Sequence, residues 1–321
     1  MRCRKFARPG WEVSEIGYGM WGMGGWTGSE DTESLGSLQR AIELGCNFFD
    51  SAWVYGDGHS EKLLGQAVKA NSAKKIHVAT KVPPKNRTWP APAKSTLDET
   101  YPPEHITEFV DKSLQNLGLD TVDLIQLHTW NDKWLEDSRI APALEKLQSS
   151  GKVRAVGLSL NRWQPWNGVQ AVRAGIVDSV QVVYNIFDQN PEDELFPACR
   201  EKNVAVIARV PFDEGSLTGT LTAASHWPVG DWRNGYFSGE NLRETLQRVE
   251  ALKKILPEGM TLAELALRFI LSNPDVSTTI PGMRKTRNVD ANLAVSEIGP
   301  LPANLLAELR KHRWDRKLPG R

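Results

Sequence analysis

Eight short apolar segments alternate with amphipathic segments along this chain of 321 residues. Several of the apolar segments are unbroken hydrophobic runs, as expected for parallel strands that are buried on both faces. The amphipathic segments carry apolar residues at helical spacing, and two of them stop at Gly45 and Gly118, where glycine commonly ends a helix. Eight strands that are each followed by a helix predict an α/β fold, a (β/α)8 TIM barrel.

The predicted elements follow this alternation from residue 16 onward. Strands are predicted at 16–20, 47–50, 77–82, 123–128, 153–159, 179–184, 204–210 and 276–281. Helices are predicted at 32–44, 61–68, 106–117, 140–150, 166–174, 192–203, 262–273 and 288–296. Residues 2–16 should form an N-terminal β-hairpin that closes the bottom of the barrel, and 242–256 and 305–312 should form extra C-terminal helices. We expect one domain over residues 1–321, with long functional loops at 83–103 and 211–241.

Composition excludes several classes of protein. The chain has 39 basic and 39 acidic residues, so nothing in its charge favours a nucleic acid or an acidic partner. Its longest apolar stretch, LAELALRFIL, is interrupted by Glu264 and Arg268, which predicts an amphipathic helix and no membrane span. The basic N-terminus has no apolar region behind it, so we expect no signal peptide.

Cysteine usage bears on the compartment and on metals. The three cysteines are far apart and odd in number, which predicts free thiols in a reducing compartment, the cytoplasm. Their spacing from the histidines suggests no metal site.

Four polar residues come at the ends of predicted strands or in the turns that follow them. They are Asp50, Tyr55, Lys81 and His128. The carboxyl ends of the strands of a parallel barrel meet at one face, where active sites are built, so these side chains should converge there.

The four residue types suit the reduction of a carbonyl group. A phenol such as Tyr55 can protonate the carbonyl oxygen, but its pKa near ~10 makes it a poor acid unless a neighbouring charge lowers that pKa. The ammonium group of Lys81 is the candidate for this charge. A buried lysine tends to lose its proton, and Asp50 would keep it ionised. His128 could orient the substrate oxygen or help to pass the proton.

The segments that carry these residues, NFFDSAWVYGDGHSEKLLG, HVATKV and DLIQLHTW, closely resemble motifs of the aldo-keto reductase family. The resemblance extends over nearly the whole chain. It implies a barrel enzyme that uses a nicotinamide nucleotide to reduce an aldehyde, ketone or sugar carbonyl, or that runs the reverse oxidation. In the family's pattern Tyr55 is the proton donor, Lys81 and Asp50 tune it, and His128 orients the substrate. Further residues that fit the pattern around the tyrosine are Gly56, Ser60, Glu61 and Gly65.

The same resemblance implies residues that bind the nicotinamide and pyrophosphate. The segment VRAVGLSLNR corresponds to a family strand that ends in Ser-Asn. Ser159 is in place, but Leu160 stands where asparagine is usual and Asn161 follows, so which of the two reaches the carboxamide is open. Gln181 matches a carboxamide-binding glutamine. The segment GSLTG, which includes Gly215, Ser216 and Leu217, resembles the loop whose backbone amides hold the pyrophosphate.

The segment IPGMRKTRNVDANLAVS is similar to the family's adenosine-phosphate segment. Arg284, Asn288 and Asn292 match its positions, while Ala291 replaces a usual acidic residue. A basic cluster at a helix start suits an extra phosphate and favours NADPH over NADH, although a solvated basic face is the alternative.

Arg209 departs from the family's pattern, which usually has an aromatic residue there that stacks on the nicotinamide. Its planar guanidinium could replace the ring against the nicotinamide. The alternative is that Arg209 turns toward the pyrophosphate, or toward Asp213 or Glu214.

Tryptophan is unusually frequent, with 12 residues. Trp21, Trp53 and Trp130 follow predicted strand ends and are expected to wall the substrate pocket, and Trp21 also lies in a glycine-rich segment expected beside the cofactor. Trp89 and Trp232 lie in the long loops and could cover the pocket. Plain packing is the alternative for each.

Two rival interpretations remain. The first is a regulatory or sensor protein that binds NADPH on the same fold with little turnover. The second is a Rossmann dehydrogenase, because residues 17–22 match the pattern GxGxxG. That pattern needs a helix that opens at the glycines, whereas the first predicted helix starts at residue 32. The sequence leaves the physiological substrate, the reaction direction and the oligomeric state open.

Overall fold

The computed structural model describes residues 1–25, 28 and 30–316. A hairpin of β1 (Cys3–Phe6) and antiparallel β2 (Trp11–Ser14) precedes eight parallel strands that pair in chain order. The eight are β3 (Tyr18–Gly19), β4 (Phe48–Asp50), β5 (His77–Val82), β6 (Val122–Leu127), β7 (Val153–Ser159), β8 (Ser179–Val183), β9 (Ala205–Arg209) and β10 (Val276–Thr279). Parallel bridges from Ile16 to Thr279 and from Gly19 to Gly282 connect the first strand to the last. The predicted barrel is therefore confirmed.

Helices surround the strands. They are α1 (Asp31–Glu43), α2 (His59–Ala70), α3 (Leu97–Thr100), α4 (Pro103–Leu117), α5 (Ile140–Ser149), α6 (Val169–Ala174), α7 (Leu195–Lys202), α8 (Arg233–Tyr236), α9 (Gly239–Lys253), α10 (Leu262–Leu271), α11 (Thr286–Ile298) and α12 (Ala303–Arg310). The cap at Gly118 has the left-handed φ of 63° that glycine adopts without strain, and it ends α4 as predicted.

Most predicted boundaries differ from the observed ones by one to three residues, and three of these differences are instructive. The strand predicted at 16–20 is reduced to Tyr18–Gly19, although its flanking residues still bridge to the last strand. The helix predicted at 192–203 begins only at Leu195, because a separate short helical turn around Pro191 precedes it. The helix predicted at 166–174 begins at Val169, after Gly168.

The hairpin closes the amino-terminal end of the barrel. Phe6 is fully buried, and its ring stacks on Trp11 at 5.4 Å and on Phe48 at 5.6 Å between centroids. These rings join a layer of inward-facing apolar side chains from the strands, which are Ala79, Leu124, Ala155, Ala205 and Ile207. The open end is therefore at the carboxyl ends of the strands.

Within the described ranges, no helix combines the length and the apolar character needed to cross a membrane.

Candidate active site

The four polar residues predicted to converge lie together at the open end. Asp50 is the last residue of β4, Lys81 lies in β5, His128 follows β6, and Tyr55 sits in the turn after β4. The Nζ atom of Lys81 is 2.6 Å from Asp50 Oδ2 and donates at the same distance to the carbonyl of Ser51. It also lies 5.1 Å from the centre of the Tyr55 ring, whose centroid is 5.9 Å from that of His128. A buried ammonium group, a phenol and an imidazole thus lie together at the open end of the barrel, in the region that we call the throat.

A tight turn delivers Tyr55 to this point. The Tyr55 amide donates to the carbonyl of Ala52 at 3.0 Å, and the chain then passes through left-handed residues at Gly56, Asp57 and Gly58. A Cβ atom on Gly56 would lie 2.7 Å from the carbonyl oxygen of Gly24, so the close approach of the two loops requires glycine.

The carboxylate of Asp50 is held from both sides. Its Oδ1 accepts hydrogen bonds from the side-chain amides of Gln126 at 3.0 Å and Gln181 at 2.9 Å, while Oδ2 faces Lys81. All four side chains are buried, so the ion pair has the additional hydrogen bonds that a buried charge pair needs. Gln126 is not among the predicted site residues, although a glutamine inside the apolar run DLIQL was a usable signal.

Gln181 was predicted to bind the nicotinamide carboxamide. Its Nε2 atom donates to Asp50 and, at 3.2 Å, to Gln126 Oε1. The amide nitrogen is therefore engaged below the throat, and only Oε1 is left for a ligand to use.

Burial dominates the acidity of Tyr55. It raises the pKa of the phenol above its ordinary value of 10, and the charge of Lys81 opposes this rise without cancelling it. Lys81 therefore acts on the pKa of Tyr55 in the expected direction, but burial outweighs it. A raised pKa still suits a proton donor, because the phenol keeps its proton until a more basic alkoxide forms beside it.

The imidazole of His128 is neutral at physiological pH. Burial and the nearby charges of Lys81 and Arg209 lower its pKa well below the ordinary value of 6.5. Its Nδ1 atom is buried and has no hydrogen-bond partner within the described part of the chain. A neutral imidazole can donate one hydrogen bond to a substrate oxygen, which fits the predicted orienting role better than that of an acid.

Ser159 ends β7 and is buried at the throat. Asn161 is already engaged: its Oδ1 accepts from Thr129 and its Nδ2 donates to the carbonyl of Trp130 at 3.1 Å and to Gln164 at 2.9 Å. Leu160 is buried and apolar. Leu160 has no polar group in its side chain, and the side-chain amide of Asn161 is already hydrogen-bonded. Ser159 is therefore the better candidate for binding the nicotinamide carboxamide.

Arg209 is partly buried at the end of β9, and its Nη2 donates to the carbonyl of Leu160 at 3.0 Å. It forms no ion pair with any carboxylate of the described residues, because Glu214 pairs with Arg162 at 2.5 Å and Asp213 pairs with Arg316 at 2.7 Å. Burial and the charge of Arg162 lower the pKa of Arg209 to about 10. The alternative in which Arg209 turns to Asp213 or Glu214 is therefore not adopted.

The predicted pyrophosphate loop is folded on itself. The amides of Gly215 and Leu217 both donate to the carbonyl of Phe212, at 2.9 and 3.0 Å, and the hydroxyl of Ser216 donates to Asp213 at 2.6 Å. Leu217 is fully buried. Two of the amides expected to form the cradle are thus occupied by the loop's own carbonyl.

The adenosine-phosphate residues lie at and before the start of α11. Arg284 is partly exposed and lies 3.4 Å from the carbonyl oxygen of Gly22, while Asn288 is exposed in the first turn of the helix. Asn292 is buried one turn later. Lys285 and Arg287 are exposed beside Arg284, so the predicted basic cluster is present at a helix start.

The tryptophans divide between mouth and core. Trp21 is 40% exposed, and Trp53 is partly buried against Phe109. Trp130 is fully buried: its indole nitrogen bonds Asp132 and its ring packs on Trp134. Trp130 therefore does not wall the pocket, and the packing alternative holds for it.

Trp89, from the loop at 83–103, covers the site. Its indole nitrogen donates to the carbonyl of His128 at 3.1 Å, and its ring meets the imidazole edge-on at 5.7 Å between centroids. Trp232, in the second long loop, lies farther out and packs on Arg162, whose guanidinium carbon is 5.3 Å from its ring.

The donors at this end of the barrel fit a nicotinamide dinucleotide. Nε of Arg209, like Nδ1 of His128, is buried without a hydrogen-bond partner among the described residues, and the basic cluster at α11 can hold phosphate. Ser159, Gln181 Oε1 and Arg209 would hold the nicotinamide end, and Arg284 and Asn288 the adenosine end.

Comparisons with known proteins agree with this geometry. The sequence model of the Aldo/keto reductase family matches residues 15–313, so the chain belongs to that family. It is 30% identical to the aldo-keto reductase yakc [NADP(+)] of Schizosaccharomyces pombe, over 89% of this chain and 84% of that protein. It is 29% identical to the NADH-specific methylglyoxal reductase of Escherichia coli, over 89% and 90%.

Among solved structures, an aldo-keto reductase of Bacillus halodurans in its holo form superposes with a TM-score of 0.78 at 26% identity, covering 100% of this chain and 99% of that one. Family membership makes the protein an NAD(P)-dependent oxidoreductase that acts on carbonyl groups.

Proposed function

We propose that this protein reduces an aldehyde, a ketone or a sugar carbonyl with NADPH, or catalyses the reverse oxidation, and that Tyr55 is the proton donor. The observation that carries the proposal is the buried Lys81–Asp50 ion pair with the Tyr55 ring 5.1 Å from its ammonium group and the His128 ring 5.9 Å from the phenol ring. A sensor protein that only binds the cofactor would need none of these contacts.

Each side chain has a separate task. The nicotinamide cofactor supplies the hydride when it is bound. His128, held neutral, donates a hydrogen bond to the carbonyl oxygen and fixes its direction. Tyr55 transfers its proton to that oxygen as negative charge develops, and Lys81 stabilises the phenolate that remains. Asp50, itself held by two glutamine donors, pairs with Lys81 and keeps it in place.

NADPH is the preferred cofactor in this proposal. Support comes from the basic cluster of Arg284, Lys285 and Arg287 at the start of α11, where an extra phosphate would find positive charge at a helix N-terminus. The yeast relative carries NADP(+) in its name, whereas the bacterial one is described as NADH-specific, so NADH is the second candidate.

We place the enzyme in the cytoplasm as a single-domain protein of residues 1–321. Support for the compartment comes from its three cysteines, of which two are buried and none is paired.

The test is a carbonyl panel assay on wild-type protein and on Tyr55→Phe. Wild type should oxidise NADPH with at least one class of aldehyde, ketone or sugar. Tyr55→Phe should bind NADPH normally and lose ~10²–10⁴-fold in kcat, because only the proton transfer is removed. NADPH binding without turnover on any substrate would favour the sensor alternative, and near-normal kcat in the variant on a slow-chemistry substrate would remove Tyr55 from the mechanism.

A further inference from the structure

A buried ion cluster joins the end of the described chain to the loop after β9. The guanidinium of Arg316 is 3% exposed, and its Nη2 lies 2.7 Å from Asp213 Oδ1 and 3.4 Å from Asp188 Oδ2. Asp213 begins the segment 213–236, which we call the anchor loop and which contains the predicted pyrophosphate residues. Asp188 lies in the loop after β8.

Asp213 holds the shape of the anchor loop. Its Oδ2 accepts from the hydroxyl of Ser216 at 2.6 Å, and its Oδ1 accepts from the hydroxyl of Tyr236 at 2.7 Å, so one carboxylate joins the two ends of the loop. Asp213 and Glu214 are both left-handed, with φ values of 45° and 57°, a conformation that costs non-glycine residues free energy. Without the contacts to Asp213, residues 213 and 214 would lose what stabilises this unfavourable backbone conformation, and the anchor loop should change its shape.

The carboxylate of Asp213 depends on a cation from outside the loop. A fully buried carboxylate that lacks a partner is strongly unfavourable, and Arg316 provides the charge together with Nη-to-oxygen contacts. Arg316 also donates to the Tyr236 hydroxyl, so it binds both groups at the junction.

The segment that carries Arg316 is itself held by contacts to the loop after β8. The Trp314 amide donates to the carbonyl of Phe187 at 2.8 Å, and the Arg316 guanidinium carbon lies 4.3 Å from the Trp314 ring and 5.7 Å from the Phe187 ring. Because these stacking contacts already restrict the side chain of Arg316, less conformational entropy is lost when it pairs with Asp213.

We propose that Arg316 is a positioning residue for the cofactor: through Asp213 it fastens the anchor loop in the observed shape, without touching the cofactor. In that shape the loop contributes to pyrophosphate binding through its position, because the amides of Gly215 and Leu217 are bonded to the carbonyl of Phe212. The inference rests on the proposed function, because Gly215, Ser216 and Leu217 matter here as the predicted pyrophosphate side of the site. If only a fraction of molecules hold the loop in that shape, the apparent Kd rises by the inverse of that fraction.

The experiment compares Arg316→Gln and Arg316→Lys with a control, Arg313→Gln. Arg313 lies on the same segment and forms equally short ion pairs, with Asp193 at 2.6 Å and Asp315 at 2.9 Å, but these are on the surface and away from the anchor loop. The readouts are the Kd for NADPH by fluorescence titration, the KM for NADPH against kcat, and chymotrypsin cleavage of the cofactor-free protein at Trp227, Trp232 and Tyr236.

Arg316→Gln should raise the Kd and the KM for NADPH about tenfold or more and should speed cleavage of the anchor loop. The kcat at saturating NADPH should change much less. Arg316→Lys keeps the charge but loses the planar guanidinium with its several donors, so its Kd should lie between those of wild type and Arg316→Gln. The Kd of Arg313→Gln should match that of wild type. Unchanged or tighter NADPH binding by Arg316→Gln would overturn the proposal, as would an equal loss in the control.

The two proposals fail differently. If wild type does not bind NADPH, the proposed function fails, and the cleavage rates still decide whether Arg316 fastens the loop. If circular dichroism shows that Arg316→Gln is unfolded, Tyr236→Phe replaces it, since that change removes one donor to Asp213 and leaves the charges. It should weaken NADPH binding in the same direction, and a wild-type Kd in a folded Tyr236→Phe protein would then count against the proposal.

Discussion

Arg209 puts a positive charge at the position from which a side chain could face the nicotinamide. Its guanidinium is fixed by the carbonyl of Leu160 and influences both Tyr55 and His128. The oxidised nicotinamide is cationic and the reduced ring is neutral, so two like charges about 4 Å apart would repel by about 4 kcal/mol at an effective dielectric constant near 20. The pyrophosphate and water should reduce this to about 1 kcal/mol, enough to favour NADPH over NADP⁺.

Arg209→Tyr should therefore tighten NADP⁺ more than NADPH, shifting the ratio of the two Kd values by about fivefold. Arg209→Lys keeps the charge and should leave the ratio near that of wild type. Calorimetric titration of both cofactors measures it. Weaker binding of both cofactors by Arg209→Tyr would instead assign Arg209 to the pyrophosphate.

His128 should make the folded state sensitive to acid. Because its folded pKa is well below 6.5, the unfolded chain takes up a proton near pH 6.5 while the native site does not, so stability is lost as the pH falls below that value. Between pH 7.5 and 5.5 the loss from one such group is about 1 kcal/mol. Urea unfolding of wild type and His128→Asn at both pH values isolates it, since His105 and His312, whose pKa values are also lowered, contribute to both proteins. Equal pH dependence in the two proteins would contradict this account.

At the residue scale the sequence predicted which side chains converge better than it predicted the contacts around them. Asp50, Tyr55, Lys81 and His128 could be found because each lies at or just after the carboxyl end of a strand, and parallel strands bring those ends together. The engagement of Asn161 with Thr129 and Trp130 could not be found, since it depends on how the loops after β6 and β7 pack against each other. The same loop packing buried Trp130, which from sequence alone resembled a pocket residue.

The start of α11 is the element that should choose between the two cofactors. Arg284, which is partly exposed just before the helix, can give a 2′-phosphate a charge-assisted hydrogen bond worth roughly 1.5–3 kcal/mol. Arg284→Ala should weaken NADPH binding by about tenfold or more and change NADH binding little. Fluorescence titration with both cofactors measures this, and equal losses for the two would refute the assignment.

Elements with a strong period were predictable, and short ones inside loops were not. The strands His77–Val82 and Val153–Ser159 have their predicted limits because they are continuous β-prone runs with clear ends. Helix Leu97–Thr100 was missed inside the loop at 83–103 because four residues cannot show a helical period. Its hydrogen-bonded capping box between Thr96 and Glu99 was the only local signal.

The molecule as a whole keeps stability and chemistry at opposite ends of the barrel. Phe6 is buried in the hairpin at the closed end, and the throat with Tyr55 lies at the other. Phe6→Ala should lower the free energy of unfolding by about 3–5 kcal/mol, because it leaves a cavity between Trp11 and Phe48.

The kcat of Phe6→Ala at low temperature should stay close to that of wild type. Urea unfolding and steady-state kinetics on one preparation measure both effects. A large fall in kcat with the fold intact would show that the two ends are coupled.

The hairpin at the closed end of the barrel also has a consequence for the order in which the cofactor and the substrate bind and leave. Because the hairpin closes the amino-terminal end of the barrel, a cofactor and a substrate have to approach Tyr55 from the carboxyl end, where Trp89 covers the site. The molecule that binds deeper in the throat then has to bind first and leave last, which predicts an ordered kinetic mechanism. Substitutions at the rim, such as at Trp89, should then change the rates of binding and release, whereas substitutions at Tyr55 should change the chemical step.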